Sequence, residues 1–266
     1  MDKILTSSEM KSVLTEILIT FDSYCQMHSL QYFMCGGTLL GAVRHKGFIP
    51  WDDDIDVLMP RPDYNRLQDL INDNPLKANY RLVSLDQNNS PYPFSKIEDL
   101  KTELIDSGSD IHKHLWIDIF PLDGVSQEMF NNFEQFDKLQ KHYSKMIEIS
   151  SVSSPKGNIF VRTIKRLLIA LVRVRGANYY GKKISDLSQQ CKYDECKMAA
   201  GLTWGYGKRE CMDKSVFFPL TKLLFEGHLF YAPNDYHAYL RNIYGDYMKL
   251  PPLEQRISHN ITAKLK

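Results

Sequence analysis

From Met10 onward apolar residues return every three or four positions: Met10, Val13, Leu14, Ile17, Leu18, Phe21, Tyr24 and Cys25. That spacing lines one face of a helix. Thr6-Ser7-Ser8-Glu9, just ahead, has the S/T-x-x-E form of a capping box, in which hydroxyl and carboxylate satisfy N–H groups left unpaired at a helix start. The pattern then shortens. Residues 32–35 predict a strand that stops at Gly36-Gly37, and Thr38 opens a short helix through Arg44. Pro50 precedes an acidic run, after which 55–59 is apolar and β-branched enough for a strand, closed by Pro60 and Pro62. Asp63 is expected to cap a helix reaching Ile71, and further strands are predicted at 80–85, 94–105 (with turns) and 115–120.

Beyond that point the helical period dominates. Phe130, Phe133, Phe136, Leu139, Tyr143, Met146 and Ile147 mark one long helix. Residues 150–157, rich in Ser with Pro and Gly, make the best linker in the chain. Helices are expected at 159–175 and 184–200, and a hairpin at 222–231 turning on Glu226-Gly227. Asn234 or Asp235 caps a last helix that ends near Tyr244-Gly245. The fold class is therefore α+β: a mixed sheet flanked by helices over residues 1–125, then a mainly helical region over 126–266 that completes the substrate site.

Composition narrows the function without naming it. The 266 residues are 43% hydrophobic and 24% charged, with a formal net charge of +1. No global field marks a nucleic-acid binder. The start of the chain has no apolar signal-peptide core, and the longest strictly apolar run, 167–172, falls far short of the ~20 residues a membrane span needs. Five cysteines without a C-x-x-C pair point to free thiols in a reducing compartment rather than a zinc site or a disulfide framework. The expected location is cytoplasmic.

The chemistry concentrates in Trp51-Asp52-Asp53-Asp54-Ile55-Asp56. Side chains alternate along a strand, so Asp54 and Asp56 project together while Ile55 and Val57 enter the core. Two carboxylates about 4 Å apart repel by roughly 4 kcal/mol at an effective dielectric near 20. A divalent ion relieves that repulsion, and oxygen-only ligands favour Mg²⁺ or Mn²⁺. An EF-hand loop is excluded, because its obligatory glycine position is occupied by Val57. Gly36-Gly37-Thr38, between a strand and a helix, supplies a backbone cradle for phosphate. That pairing of a glycine turn with an Asp-x-Asp strand matches nucleotidyltransferase-type folds, which take a third carboxylate from a neighbouring strand. Asp118, isolated in the apolar strand Trp116-Ile117-Asp118-Ile119-Phe120, is that candidate. Asp53 reads as a turn residue.

The segment from Gly36-Gly37-Thr38 through Arg44-His45-Lys46-Gly47 to Trp51-Asp52-Asp53-Asp54-Ile55-Asp56-Val57 resembles the signature of the LicD family. Lys96-Ile97-Glu98-Asp99, the stretch from Trp116 to Gly124, and Tyr244-Gly245-Asp246 followed by Pro251-Pro252 also fit it. The resemblance implies a nucleotidyltransferase-like fold and transfer of phosphocholine from CDP-choline to a sugar hydroxyl, with release of CMP. The acceptor would be a cell-surface glycan, such as a teichoic acid, capsule or lipopolysaccharide precursor, lipid-linked forms included. By the same pattern Asp54, Asp56 and Asp118 hold the metal, and either Asp118 or Asp52 takes the acceptor proton. Gly36, Gly37, Thr38, Arg44, His45 and Lys96 are the substrate-binding candidates, the cations facing the charge that develops on the diphosphate. Ethanolamine, glycerol or ribitol would need the same phosphate and metal groups. Nucleotidyl transfer to a small molecule and a non-catalytic regulator on the same fold are the competing functions. Trp51, Trp116, Trp204, Tyr206 and Tyr244 are available to hold choline, without a definable cage, and Arg256 and His259 lie where the C-terminus would return to the site.

Residues 159–175 also form a basic amphipathic pattern, with Arg162, Lys165, Arg166 and Arg173 opposite Val161, Ile164, Leu168 and Leu171. We expect its apolar side to pack on the first half of the chain. Peripheral contact with the inner face of the cytoplasmic membrane is the competing reading.

Overall fold

The computed structural model describes residues 3–105, 113–152, 158–256, 258 and 261–266. Strand β1 (Lys3–Ile4) leads into α1 (Ser7–Met27), where the capping box forms in full. The Thr6 hydroxyl accepts from the Glu9 N–H at 3.3 Å, and the Glu9 carboxylate from the Thr6 N–H at 2.9 Å. There follow β2 (Phe33–Met34), α2 (Gly36–His45), β3 (Asp56–Pro60), α3 (Arg61–Asp73), β4 (Tyr80–Val83), β5 (Ser95–Asp99), β6 (Thr102–Leu104) and β7 (Leu115–Val125). Helices α4 (Gln127–Asn131), α5 (Phe133–Ser151), α6 (Ile159–Arg173) and α7 (Ala177–Ser188) come next. The chain closes with β8 (Met198–Gly201), β9 (Met212–Asp213), α8 (Lys214–Phe217), β10 (Thr221–Phe225), β11 (His228–Ala232), α9 (Tyr236–Tyr244) and β12 (Ala263–Leu265).

The central sheet runs β2-β3-β7-β5-β4, with β8 and β9 continuing from β7. Its β3–β7 pair is parallel and its other pairs are antiparallel. This is the mixed sheet the pattern predicts. The apolar face of α1 (Leu14, Ile17, Leu18, Phe21 and Cys25) is buried against β5 and β7. A small sheet, β1-β12-β6, ties the end of the chain to its beginning. The second half is thus mainly helical but contributes β8 and β12 to sheets begun in the first.

Several boundaries move, each for a physical reason. The helix expected at 184–200 stops at Ser188, and Met198–Gly201 instead pairs antiparallel with β7, from Leu122↔Gly201 to Val125↔Met198. Ladder pairing outweighs the helix preference of Ala199 and Ala200. The 94–105 strand divides at Leu100-Lys101 into β5 and β6. The long helix around 130–147 divides at Asn132 into α4 and α5. Asp63 is not a cap: Pro60 holds that position, and Asp63 lies in the first turn of α3, accepting from Arg66 Nη1 at 3.0 Å. Of the proposed linker, Ser150 and Ser151 belong to α5, while 153–157 lie outside the described residues.

The cysteines also depart from expectation. Cys191 and Cys196 form a disulfide, whereas Cys25, Cys35 and Cys211 are free and buried. The chain reverses between α7 and a 3-10 turn at Tyr193–Glu195, which brings the two thiols together. The basic helix α6 differs too. Among its large apolar residues only Ile169 is buried, and the face expected to pack on the first half is open.

A candidate active site on one face of the central sheet

The register of three strands assembles the site. Asp56 on β3 lies opposite Asp118 on β7, and Asp118 lies opposite Lys96 on β5. These side chains form one row on one sheet face. Two residues along each strand, Leu58, Phe120 and Phe94 form the next row, with Phe94 and Phe120 ring centroids 4.7 Å apart. Ile55, Val57, Ile117 and Ile119, on the alternating positions, are fully buried. Backbone pairing starts one residue before β3, where the Asp118 N–H donates to Ile55 O at 2.8 Å.

These rows floor a cavity of about 400 Å³, lined also by Asp54, Cys35, Gly36 and Tyr92, and roofed by Trp204, Tyr206 and Glu210. Four carboxylates, Asp54, Asp56, Asp118 and Glu210, meet one ammonium, Lys96, in that lining. Lys96 Nζ lies 2.5 Å from Asp118 Oδ1, and Trp116 Nε1 donates to Asp118 Oδ2 at 2.9 Å. Burial pushes the Asp56 carboxyl well above the usual carboxylate range, and the charges of Asp54, Asp118 and Asp52 push it further, against Lys96. Burial likewise raises Glu210 to about 7, although the Tyr239 hydroxyl donates to it at 2.6 Å.

Helix α2 starts at this row. Cys35 is its N-cap, and Gly36, at φ +52°, occupies backbone space that other residues enter only with strain. A Cβ on Gly36 would stand 3.1 Å from the Tyr206 hydroxyl, and one on Gly37 would stand 2.6 Å from Asp52 Oδ2. The glycine pair therefore lets Asp52 and Tyr206 approach the helix start. Thr38 is buried, and its hydroxyl accepts from the Asp56 N–H at 2.8 Å, which ties α2 to the strand carrying the carboxylates. Asp53 is buried rather than a solvated turn residue, with the Ser258 hydroxyl donating to it at 2.9 Å.

Arg44 and His45 lie at the other end of α2, away from the carboxylate cavity. Arg44 lines a second groove of about 860 Å³ with Trp51, Tyr244 and Arg256. Its Nη1 donates to Tyr247 O at 2.9 Å, and its Nε to His45 Nδ1 at 3.4 Å. Burial and the Arg44 charge lower the His45 pKa. The Arg256 guanidinium sits over Trp51, 4.9 Å from the ring centroid. The C-terminal segment therefore returns to the acidic loop; His259 lies outside the described residues. Hydrogen-bonded hydroxyls of Tyr206 and Tyr244 separate the two spaces.

The donor set suits a hard divalent cation, being carboxylate oxygen throughout. Among the described residues no three His, Cys, Asp or Glu side chains form a ready cage. Mg²⁺ needs no such cage: one or two carboxylates and substrate phosphates suffice, and Asp54 and Asp56 fit that requirement. Asp118 faces them with both oxygens already hydrogen-bonded.

Sequence reasoning missed Tyr92, Phe94, Phe120 and Glu210. The signal for two of them was present: Phe94 and Phe120 each stand two positions from a site residue, which on a strand means the same face. Glu210 and the placing of Trp204 depend on a loop crossing from the second half, and no local pattern marks that.

The LicD/FKTN/FKRP nucleotidyltransferase domain matches residues 29–151, spanning α2, the acidic strand and β7. The chain is 33% identical to the lipopolysaccharide cholinephosphotransferase LicD of Haemophilus influenzae, over 97% of each chain. An uncharacterized protein of Rickettsia prowazekii is 30% identical over 132 residues, half of this chain and 47% of that one. The whole-length match shows the family: the chain is a transferase of the LicD family.

Proposed function

We propose that the enzyme transfers phosphocholine from CDP-choline to a sugar hydroxyl of a lipopolysaccharide-type glycan precursor, at the inner face of the cytoplasmic membrane. The observation that carries this reading is the row Asp56, Asp118 and Lys96 with the Phe94 and Phe120 rings beside it, in a chain 33% identical to a named cholinephosphotransferase. A carboxylate row suits a metal-bound diphosphate, and the rings beside it suit a quaternary ammonium.

Asp54 and Asp56 would hold Mg²⁺ or Mn²⁺, with Asp118 as the third carboxylate of the site. When bound, the ion neutralises charge on the donor diphosphate. The acceptor oxygen bonds to the choline-bearing phosphorus, and the bond from that phosphorus to the bridging oxygen breaks, so CMP leaves with the electron pair. Lys96 faces that developing charge. Asp118 lines the cavity and Asp52 does not, which favours Asp118 as the carboxylate that takes the acceptor proton. Tyr92, Phe94 and Trp204 line the same cavity and would hold a trimethylammonium group. The Lys96 ammonium already sits 6.0 and 5.3 Å from the Tyr92 and Phe94 ring centroids, and the Phe94 and Trp204 centroids are 5.9 Å apart.

Incubation with radiolabelled CDP-choline and lipopolysaccharide tests the reading. Label appearing on the glycan with stoichiometric CMP supports it. Pyrophosphate released from CTP without CMP from CDP-choline would replace it with nucleotidyl transfer. Preference for CDP-ethanolamine, CDP-glycerol or CDP-ribitol would keep the chemistry and change the alcohol; a teichoic acid or capsule acceptor would change only the glycan.

A further inference from the structure

Helix α6 carries an apolar face that no described residue covers. Phe160, Ile164, Leu167, Leu168, Leu171 and Val174 follow one another at helical spacing, and each is exposed. The exposures are large, 72% for Phe160, 63% for Leu167 and 68% for Leu171. Burying such residues is the usual outcome of folding, and a contiguous exposed patch marks a surface meant for contact. The helix is held to the molecule along a different edge. Ile169 is buried, Val172 packs against the cluster of Ile147, Tyr180 and Ile184, and Arg173 donates to the carbonyls of Ser150 and Val152 at 3.0 and 2.9 Å. The apolar face is therefore presented outward by an anchored helix.

Charge identifies what fits that face. From Ile159 to Arg175 there are five cations, Arg162, Lys165, Arg166, Arg173 and Arg175, and no Asp or Glu. A second copy of this helix brings the same cations and no carboxylate, so it offers no opposite charge to complement them. An apolar face on a helix whose charged residues are all cations matches an anionic bilayer surface, with rings and leucines among the upper acyl chains and the long cationic side chains reaching the headgroup phosphates. Among the described residues no helix is long and apolar enough to cross a membrane, so α6 would lie on the surface. We propose that α6 is a membrane-docking helix that seats the enzyme on anionic lipid.

Co-sedimentation of the full chain with vesicles tests this without reference to catalysis. Wild type is expected to pellet with phosphatidylcholine vesicles containing phosphatidylglycerol, and to stay in solution with phosphatidylcholine alone. Leu167→Glu combined with Leu171→Glu changes exposed positions, so the thermal midpoint should hold while vesicle binding is lost. Arg162→Glu with Arg166→Glu should lower partitioning at least tenfold, since each cation near an anionic surface is worth about fivefold. Wild type remaining in solution with anionic vesicles would overturn the proposal. So would unchanged pelleting by the leucine variant, or sedimentation velocity showing that this variant only splits a dimer.

Discussion

Asp123→Ala is the sharpest test of how the sheet holds the site. Arg61 opens α3 directly after β3, and Asp123 sits near the end of β7. Their contact is bidentate, Nε to Oδ1 at 2.6 Å and Nη2 to Oδ2 at 2.9 Å, with side-chain exposures of 8% and 1%. The pair clamps β3 and β7 beyond Pro60↔Leu122, the far end of the register that begins at Asp56↔Asp118. Removing the carboxylate leaves a guanidinium buried without its counter-charge, at a cost of about 3–5 kcal/mol. A domain is stable by about 5–15 kcal/mol, so the loss is a large share of the whole. Replacing both partners with apolar residues, Arg61→Met with Asp123→Leu, removes the stranded charge and should restore most of the stability. Urea unfolding of wild type, both single variants and the double variant measures the cycle. An Asp123→Ala cost under about 1 kcal/mol, or a double variant no better than Asp123→Ala, would refute the clamp.

Other outcomes follow from the same geometry. Gly37→Ala should keep or raise the thermal midpoint, because alanine favours a helix by about 0.5–1 kcal/mol and only the end of the Asp52 side chain must shift. Transfer should be little changed, because Asp52 does not line the cavity; a large loss of transfer would make Asp52 rather than Asp118 the carboxylate that takes the acceptor proton. Glu210 has a folded pKa of about 7 against a reference of 4.5, so its folded form holds the proton more tightly. Stability from protonated Glu210 is present below pH 4.5 and is lost as pH rises to about 7, a change of about 3 kcal/mol that Glu210→Gln should flatten in thermal melts. An identical pH slope in the variant would place the titration elsewhere. Phe94→Leu should raise the KM for CDP-choline by about fivefold or more through loss of a cation–π face, with CDP-glycerol little affected; equal effects on both donors would remove choline from that wall.

Local patterns along the chain carried much of the fold in both halves. Capping at Thr6, the amphipathic α1, the Ile55/Val57 alternation and the Glu226-Gly227 hairpin turn are local rules, and each reappears in the structure. What failed depended on distant partners. Met198–Gly201 is a strand because β7 offers it a ladder, and Asp53 is buried because Ser258 arrives from the C-terminus. The apolar face of α6 looked like packing surface because periodicity reports which side is apolar, not what covers it. At the site, Asp54, Asp56, Asp118 and Lys96 were legible as residues, and the structure brings them into one cavity. Arg44 and His45 were legible only as neighbours of the signature, and α2 carries them to its opposite end.

Asp54, Asp56 and Asp118 are proposed as the centre where CDP-choline is split. CMP release from CDP-choline with lipopolysaccharide present tests this most directly, for wild type with and without chelator and for Asp54→Asn, Asp56→Asn and Asp118→Asn. Release should need Mg²⁺ or Mn²⁺ and fall at least a hundredfold in each variant. Thermal midpoints should be at or above wild type for Asp54→Asn and Asp56→Asn, where carboxylate crowding is relieved, and below it for Asp118→Asn, which leaves the buried Lys96 ammonium without its counter-charge. Metal-independent release, or turnover near wild type in Asp56→Asn, would contradict that assignment.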